Sequence, residues 1–323
     1  MRLLNAVGLP LGDLRKTVVV AGSPRSGTTW LAEMLATQPG YTLINEPLHL
    51  RWRAAQEAGI DEWRTYIGPG EASLEVQDYI EKALAGRVAC TRQFTSEVPL
   101  FKLRELLTGR KQVVKFVRAN RMLHWIYNRF PIREIVLVLR HPCAVVASQL
   151  DYKHDAWRRA TPPEIDELQT EYGGRIPDRI LRRFKSTLAN VESTAGHLAA
   201  VWCLDIYFPL HEQEVFPGLI TTYERLLTRE EEELKRIFQS LGEPVPRRAL
   251  QLFEKASGSA SSDLVVKGTR RQLSKWKTKL DARQIDEILS TVEAFGLDFY
   301  TDALEPDYSR IEASSEGVES QTT

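Results

Sequence analysis

The residues best suited to chemistry lie in Gly22-Ser23-Pro24-Arg25-Ser26-Gly27-Thr28-Thr29, which has the spacing of a phosphate-gripping glycine loop. The loop follows the apolar run Thr17-Val18-Val19-Val20-Ala21 and leads into Trp30-Leu31-Ala32-Glu33-Met34-Leu35, so a buried strand is expected to feed a loop that opens a helix. Anions bind at such a start, because its backbone N–H groups lack internal partners and the helix dipole adds about half a positive charge. In the common ATP and GTP loop, a lysine after the second glycine reaches the β- and γ-phosphates. Here Thr28 takes that place, and the cation, Arg25, lies inside the loop. These residues suit a nucleotide with no γ-phosphate and no obligatory magnesium. The alternative is a glycine turn that merely joins strand to helix; Arg25 and the paired threonines, set between a strand and an amphipathic helix, favour the phosphate reading.

A second segment offers another anion grip. Glu134-Ile135-Val136-Leu137-Val138-Leu139 is a short apolar run typical of a strand covered on both faces, and it ends in Arg140-His141-Pro142 before Ala144-Val145-Val146-Ala147-Ser148 turns helical. An ATP hydrolase would usually end such a strand in an acidic residue that helps to hold magnesium. Arg140 at the strand end, with Ser148 about two helical turns along, could instead bind a second phosphate through the paired donors of the guanidinium. Taken alone, Arg140 could equally form a surface ion pair of little worth. Two phosphate grips on one mononucleotide imply a bisphosphate.

With these residues in view, the chain resembles the sulfotransferases that use 3′-phosphoadenosine 5′-phosphosulfate (PAPS). Pro24-Arg25-Ser26-Gly27-Thr28-Thr29-Trp30 resembles their 5′-phosphosulfate loop, and Arg140-His141-Pro142 through Ser148 resembles their 3′-phosphate motif. Arginine at position 25, the segment Asn45-Glu46-Pro47-Leu48-His49, and the stretch Ser261-Ser262-Asp263-Leu264-Val265-Val266-Lys267 with Leu273-Ser274-Lys275-Trp276 are similar to the carbohydrate and protein-tyrosine branches. The matches run in the family's order from about residue 17 to residue 276. The resemblance implies a P-loop-type three-layer α/β fold, PAPS as the donor with its bisphosphate (PAP) as product, and no required metal.

Sulfuryl transfer asks for a base at the acceptor hydroxyl, a cation at the leaving oxygen and donors for the sulfuryl oxygens. Glu46 is the candidate base: it follows the run Tyr41-Thr42-Leu43-Ile44, just past a strand's carboxyl end, and Pro47 stiffens its exit. A free glutamate titrates near about 4.3 and is a weak base, and a desolvated setting would improve it. Arg25 is expected to stabilise the leaving phosphate oxygen electrostatically, since it does not give up its proton. Lys115, in Val113-Val114-Lys115-Phe116-Val117, matches a lysine of the tyrosine branch and is a candidate second cation, with an outward-facing strand position as the alternative. By resemblance, Ser262 would donate to the sulfuryl group, and Lys267, Arg270 or Arg271 would close over the 3′-phosphate. Tyr223, in Thr221-Thr222-Tyr223-Glu224-Arg225-Leu226, would meet the adenine or pack in the core.

These side chains need a scaffold that gathers them along one edge. Candidate strands at 17–21, 41–44, 111–117, 134–139 and 218–222 alternate with helical patterns, which predicts a central parallel sheet with helices on both faces and ligand sites at the strands' carboxyl ends. One domain is expected over 1–304. Its helix-rich insertion, about 150–216, carries Tyr152, His154, Trp157, Tyr172, Phe184, Trp202, Tyr207 and Phe208. That insertion reads either as a lid bending at Gly173-Gly174 or as plain helical packing. Arg51 to Arg87, with Trp52, Trp63 and Tyr66, would form the opposite wall, and 305–323 reads as a disordered tail.

Whole-chain properties narrow the class. The 323 residues are 43% hydrophobic and carry 43 basic and 43 acidic side chains, a balance that suggests neither a general nucleic-acid binder nor a membrane-surface binder. Three widely spaced cysteines without a C-x-x-C pair argue for buried free thiols. No run approaches the ~20 apolar residues needed to span a bilayer, and Met1 to Lys16 shows no cleavage pattern, so a soluble cytoplasmic enzyme of bacterial type is expected. The expected acceptor is a hydroxyl of a sugar or small natural product, then a phenol, then a protein tyrosine. Two other classes remain in view: a small-molecule kinase, which would need magnesium-ATP, and a non-catalytic nucleotide-binding module, which would lack the candidate catalytic residues.

Overall fold

The computed structural model describes residues 12–68, 70–88, 90–93, 111–152, 176–213, 215–251 and 268–316. Its centre is a sheet whose strands are β1 (Val18–Ala21), β2 (Tyr41–Asn45), β3 (Thr91–Gln93), β4 (Lys111–Phe116), β5 (Glu134–Leu139) and β6 (Leu219–Thr222), in the spatial order β3-β2-β4-β1-β5-β6. Five of these strands run parallel, and β3 pairs antiparallel with β2 at one edge. The expected parallel strands are all present, with ends shifted by at most one residue. The short edge strand β3 was not foreseen.

The apolar runs that marked the strands become the core because both sheet faces are covered. Val19, Ala21, Val114, Phe116, Ile135, Leu137 and Leu139 face a cluster that includes Ile80, Ile126, Phe184, Trp202 and Phe208. Val18, Val20, Val113, Val136 and Val138 face the other way, against Leu31 and Met34 of helix Thr28–Leu35 and Leu234 and Phe238 of helix Glu230–Ser240. Alternation along each strand thus builds the three layers. A third cluster, with Cys143, Val146, Ala199, Trp276 and Ile288, packs helix Pro142–Leu150 against helices Thr194–His211 and Ala282–Ala294.

Two expectations about the periphery change. Phe184, Trp202, Tyr207 and Phe208 are core residues, so for them the packing reading holds and not the lid. Gly173-Gly174 and the aromatics His154, Trp157 and Tyr172 lie outside the described residues. The stretch from Glu305 is not structureless as expected: Tyr308–Glu316 forms a helix whose Ile311 is buried in the core, and Arg225 beside β6 pairs with Glu312 and lies over the Tyr308 ring. One apolar side chain per turn is a weak periodic signal, which is why the sequence pattern understated it.

Cys90, Cys143 and Cys203 are free and buried, as expected. Among the described residues no helix is long and apolar enough to cross a membrane.

Candidate active site

The carboxyl ends of β1, β2, β4, β5 and β6 open on a cleft of about 860 Å³. The order of strands explains why it lies there. The chain leaves β1 towards β2 and β4 on one side and later crosses to β5 and β6 on the other, so loops diverge above β1 and leave a crevice.

Beyond β1, the loop turns tightly against its neighbours. A Cβ on Gly22 would come within 2.5 Å of the Val138 carbonyl oxygen, and one on Gly27 within 2.7 Å of the Tyr223 ring. Gly27 caps helix Thr28–Leu35 from the left-handed region at φ 92°. Among the described residues no side chain caps that helix start, an arrangement whose N–H groups can receive an anion. Pro24, Arg25, Gly27, Thr28, Thr29 and Trp30 line the cleft, while Ser26 is buried beneath it. From below, the Ser23 hydroxyl donates to Asp205, which Arg64 grips through Nε at 2.8 and 3.1 Å.

Arg25 and Glu46 share an unusual backbone. Among the described non-glycine residues, these two carry positive φ, at 78° and 51°. The left-handed region costs a side-chain-bearing residue about 1–2 kcal/mol and is retained where the surroundings impose it, often at functional sites. Both positions were chosen from the sequence as catalytic candidates.

The residues expected to form a second anion grip adjoin the loop. Arg25 Nε donates to Ser148 Oγ at 3.0 Å, and Arg140 donates to the Arg25 carbonyl at 2.7 Å. The Arg140 guanidinium lies 4.1 Å over the Tyr223 ring, whose hydroxyl accepts from Gln272 and whose edge meets Trp30. The Arg140 Nε is buried without a hydrogen-bond partner among the described residues, and Arg140 lines the cleft.

The third group faces the loop from β2 and β4. Asn45 pairs in register with Lys115, and the Glu46 N–H donates to the Lys115 carbonyl at 3.0 Å, so the two side chains emerge together. Glu46 Oε1 lies 3.1 Å from Lys115 Nζ, Glu46 Oε2 lies 2.8 Å from Arg118, and Lys115 also donates to Thr29 Oγ1. Glu46 and Lys115 are both buried, at 7% and 6% exposure, so Lys115 does not take the outward strand position. Arg118 stacks 4.5 Å over the Trp63 ring, which also meets the His49 ring. Burial lowers Arg118 below the usual arginine range, against the pull of Glu46. Burial, followed by the charges of Arg118 and Arg51, pushes His49 down to about 4, so its imidazole is neutral at physiological pH.

Arg118, His49, Gln272, Lys275 and Lys279 line the cleft but were not among the expected site residues. Lys279 forms an ion pair with Asp151, just beyond Ser148. Ser262 and Lys267 lie outside the described residues, as does the side chain of Arg270 in helix Gly268–Ser274. Among the described residues, the late cations that line the cleft are Lys275 and Lys279. Lys275 belongs to the quoted Leu273-Ser274-Lys275-Trp276 stretch and Lys279 follows it closely, which is the available signal.

With the geometry established, comparison with known proteins places the chain. The sequence profile of the sulfotransferase family matches residues 17–247. No curated protein matches by sequence. Among solved structures, the chain is similar to the sulfotransferase domain from the curacin biosynthetic pathway, at 19% identity and TM-score 0.46, over 88% of this chain and 97% of that one. It is similar to the sulfotransferase domain of the Synechococcus PCC 7002 olefin synthase, at 17% identity and TM-score 0.42, over 87% and 94%. It is also similar to mouse sulfotransferase SULT7A1 complexed with PAP, at 14% identity and TM-score 0.41, over 90% and 88%.

Proposed function

Because this chain belongs to the sulfotransferase family, we propose that its cleft binds PAPS across the two anion grips and passes the sulfuryl group to a hydroxyl of a sugar or small natural product. One observation carries the reading: Arg25 joins the grips, giving its carbonyl to Arg140 and its Nε–H to Ser148 while its own loop forms the helix-start cradle. The site fits such a bisphosphate. An uncapped helix start offers N–H donors at one end, and the Arg140 side chain lines the cleft at the other.

The bound donor would supply an electrophilic sulfuryl group on a phosphate leaving group. The residues of this chain would do the rest. The N–H groups of Arg25 and residues 27–29 and the Thr28 and Thr29 hydroxyls would hold the 5′ end, and Arg140 and Ser148 the 3′-phosphate. Tyr223 and Trp30 would offer ring faces to the adenine. Glu46 would accept the proton from the acceptor oxygen, and the Lys115 ammonium, which contacts both Glu46 and Thr29, would offset the negative charge that grows on the leaving phosphate oxygen as its bond to sulfur breaks. Arg118 would keep the carboxylate aimed, braced by Trp63. Ser262, Lys267 and Arg270 are retained as contributors from the late loop, with Lys275 and Lys279 as the nearer cations.

The acceptor end is lined by His49, Val117 and Arg118, a small polar surface suited to a hydroxyl-bearing ring. A soluble cytoplasmic setting and a single domain that takes in helix Tyr308–Glu316 complete the reading. Incubation with labelled PAPS and a panel of glycosides, phenols and cell extract, followed by mass identification of the labelled product, tests it. Transfer to peptide tyrosine alone would move the acceptor class, and magnesium-dependent ATP turnover without PAPS turnover would replace the reading with a kinase.

A further inference from the structure

The residues behind the 3′-phosphate grip form a buried knot. His141 is the N-cap of helix Pro142–Leu150, the helix that carries Ser148, and it directly follows Arg140. Its Nδ1 accepts the Cys143 N–H at 3.2 Å, and its Nε2–H donates to the Thr301 carbonyl at 2.8 Å. Its ring stacks on Trp276 at 4.5 Å. One N-cap group remains, the backbone N–H of His141. Within many helices a glutamate at the third position satisfies that N–H, but here the third residue is Ala144. Glu224, just past β6, takes over: its Oε1 accepts the His141 N–H at 2.9 Å, and its Oε2 accepts the Tyr300 hydroxyl at 3.0 Å.

Glu224 is 1% exposed. Burying a carboxylate is costly, and burial raises its proton affinity above the usual carboxylate range. A neutral side chain in its place would avoid that cost, so a buried acid at the root of a phosphate grip calls for an account. Its neighbours supply one. Tyr223, the preceding residue, lies under the Arg140 guanidinium, so the dipeptide Tyr223-Glu224 supports that arginine twice. Glu224 orients the backbone from which Arg140 springs, and Tyr223 supports its plane.

We infer that Glu224 is a positioning residue for the 3′-phosphate grip, acting through the His141 N–H to fix Arg140 and the helix start that carries Ser148, and braced from the far side by Tyr300. The inference rests on the PAPS reading above. It also gives a role to residues after 247, the end of the family match: Trp276, Tyr300 and Thr301 close the knot from the later part of the chain.

The test is isothermal titration of the full chain with PAP and with adenosine 5′-phosphate, since the ratio of the two affinities isolates the 3′-phosphate. The wild-type chain is expected to prefer PAP. Glu224→Ala is expected to reduce that preference by about tenfold while leaving adenosine 5′-phosphate binding within about twofold. Glu224→Gln keeps an acceptor for the His141 N–H and is expected to restore most of the preference. If Glu224→Ala does not fold, Tyr300→Phe decides, with an expected loss of about threefold in the ratio. An unchanged ratio in the deciding variant, or an equal loss for both nucleotides, overturns the inference while leaving the PAPS reading intact. A wild-type chain that shows no preference for PAP overturns both.

Discussion

Glu46 Oε1 lies 3.1 Å from Lys115 Nζ, and the two residues sit at the ends of adjacent parallel strands, held level by a backbone hydrogen bond. The pair is buried, and Arg118 grips the other carboxylate oxygen, so the acid is fixed in direction and not merely present. A base for an acceptor hydroxyl needs that fixed aim. Glu46→Gln preserves size and most of the hydrogen bonding but removes the basic oxygen. Turnover is expected to fall by about 10²- to 10⁴-fold while PAP affinity stays within about threefold. Steady-state kinetics with titration calorimetry checks this, and unchanged turnover removes Glu46 as the base.

Arg140 contributes a different term. Its guanidinium is supported by Tyr223 and tethered to the Arg25 carbonyl at the lining of the cleft. Arg140→Ala is expected to weaken PAP binding by about ten- to a hundredfold with a smaller effect on turnover at saturating donor. An effect confined to the acceptor KM would contradict the assignment.

The left-handed backbone at Arg25 separates stability from function. Arg25 is largely exposed, and glycine tolerates φ 78° without penalty, so Arg25→Gly is expected to keep or raise the melting temperature. The same change removes the cation from the loop, and turnover is expected to drop by about 10²-fold or more. A marked loss of stability would show that the Ser148 and Tyr152 contacts of Arg25 hold the fold as well as the site.

Buried histidines set an acid limb to stability. Burial, and then the charge of Arg64, pushes His197 down to about 4 from an ordinary value near 6.5. Between these values the unfolded chain binds the proton and the folded chain does not, so stability falls as pH drops from about 6.5 towards 4, by about 1.4 kcal/mol per pH unit for one such group. His197→Asn removes this proton uptake. Its unfolding midpoint in urea is expected to depend less on pH than that of the parent across this window; equal slopes would mean that His197 protonates in place.

What was legible in the chain follows from burial. The parallel strands are covered on both faces, so Val18–Ala21 and Glu134–Leu139 appear as nearly continuous apolar runs, and the residues leaving them, Ser23 to Thr29 and Arg140, fall at one edge by topology alone. Lys115 stood out because a lysine among apolar strand residues needs a partner. Arg118 did not, since an arginine after a strand looks like any solvated cation until Glu46 and Trp63 are seen beside it. Asp205 and Glu224 were hidden for a related reason: each completes a contact more than 80 residues away in sequence, with Ser23 and His141 respectively, and pattern along the chain carries no record of such pairings. Lys275 and Lys279 reach the cleft through helix packing, which spacing from the quoted motif alone did not specify.

The most direct measurement is a crystal structure of the chain soaked with PAP. The 5′-phosphate should lie on the N–H groups of Arg25 and residues 27–29 and the 3′-phosphate against Arg140 and Ser148, with Glu46 and Lys115 facing the 5′ end. A nucleotide bound outside this cleft, or one with only one of its phosphates at these arginines, would contradict the account.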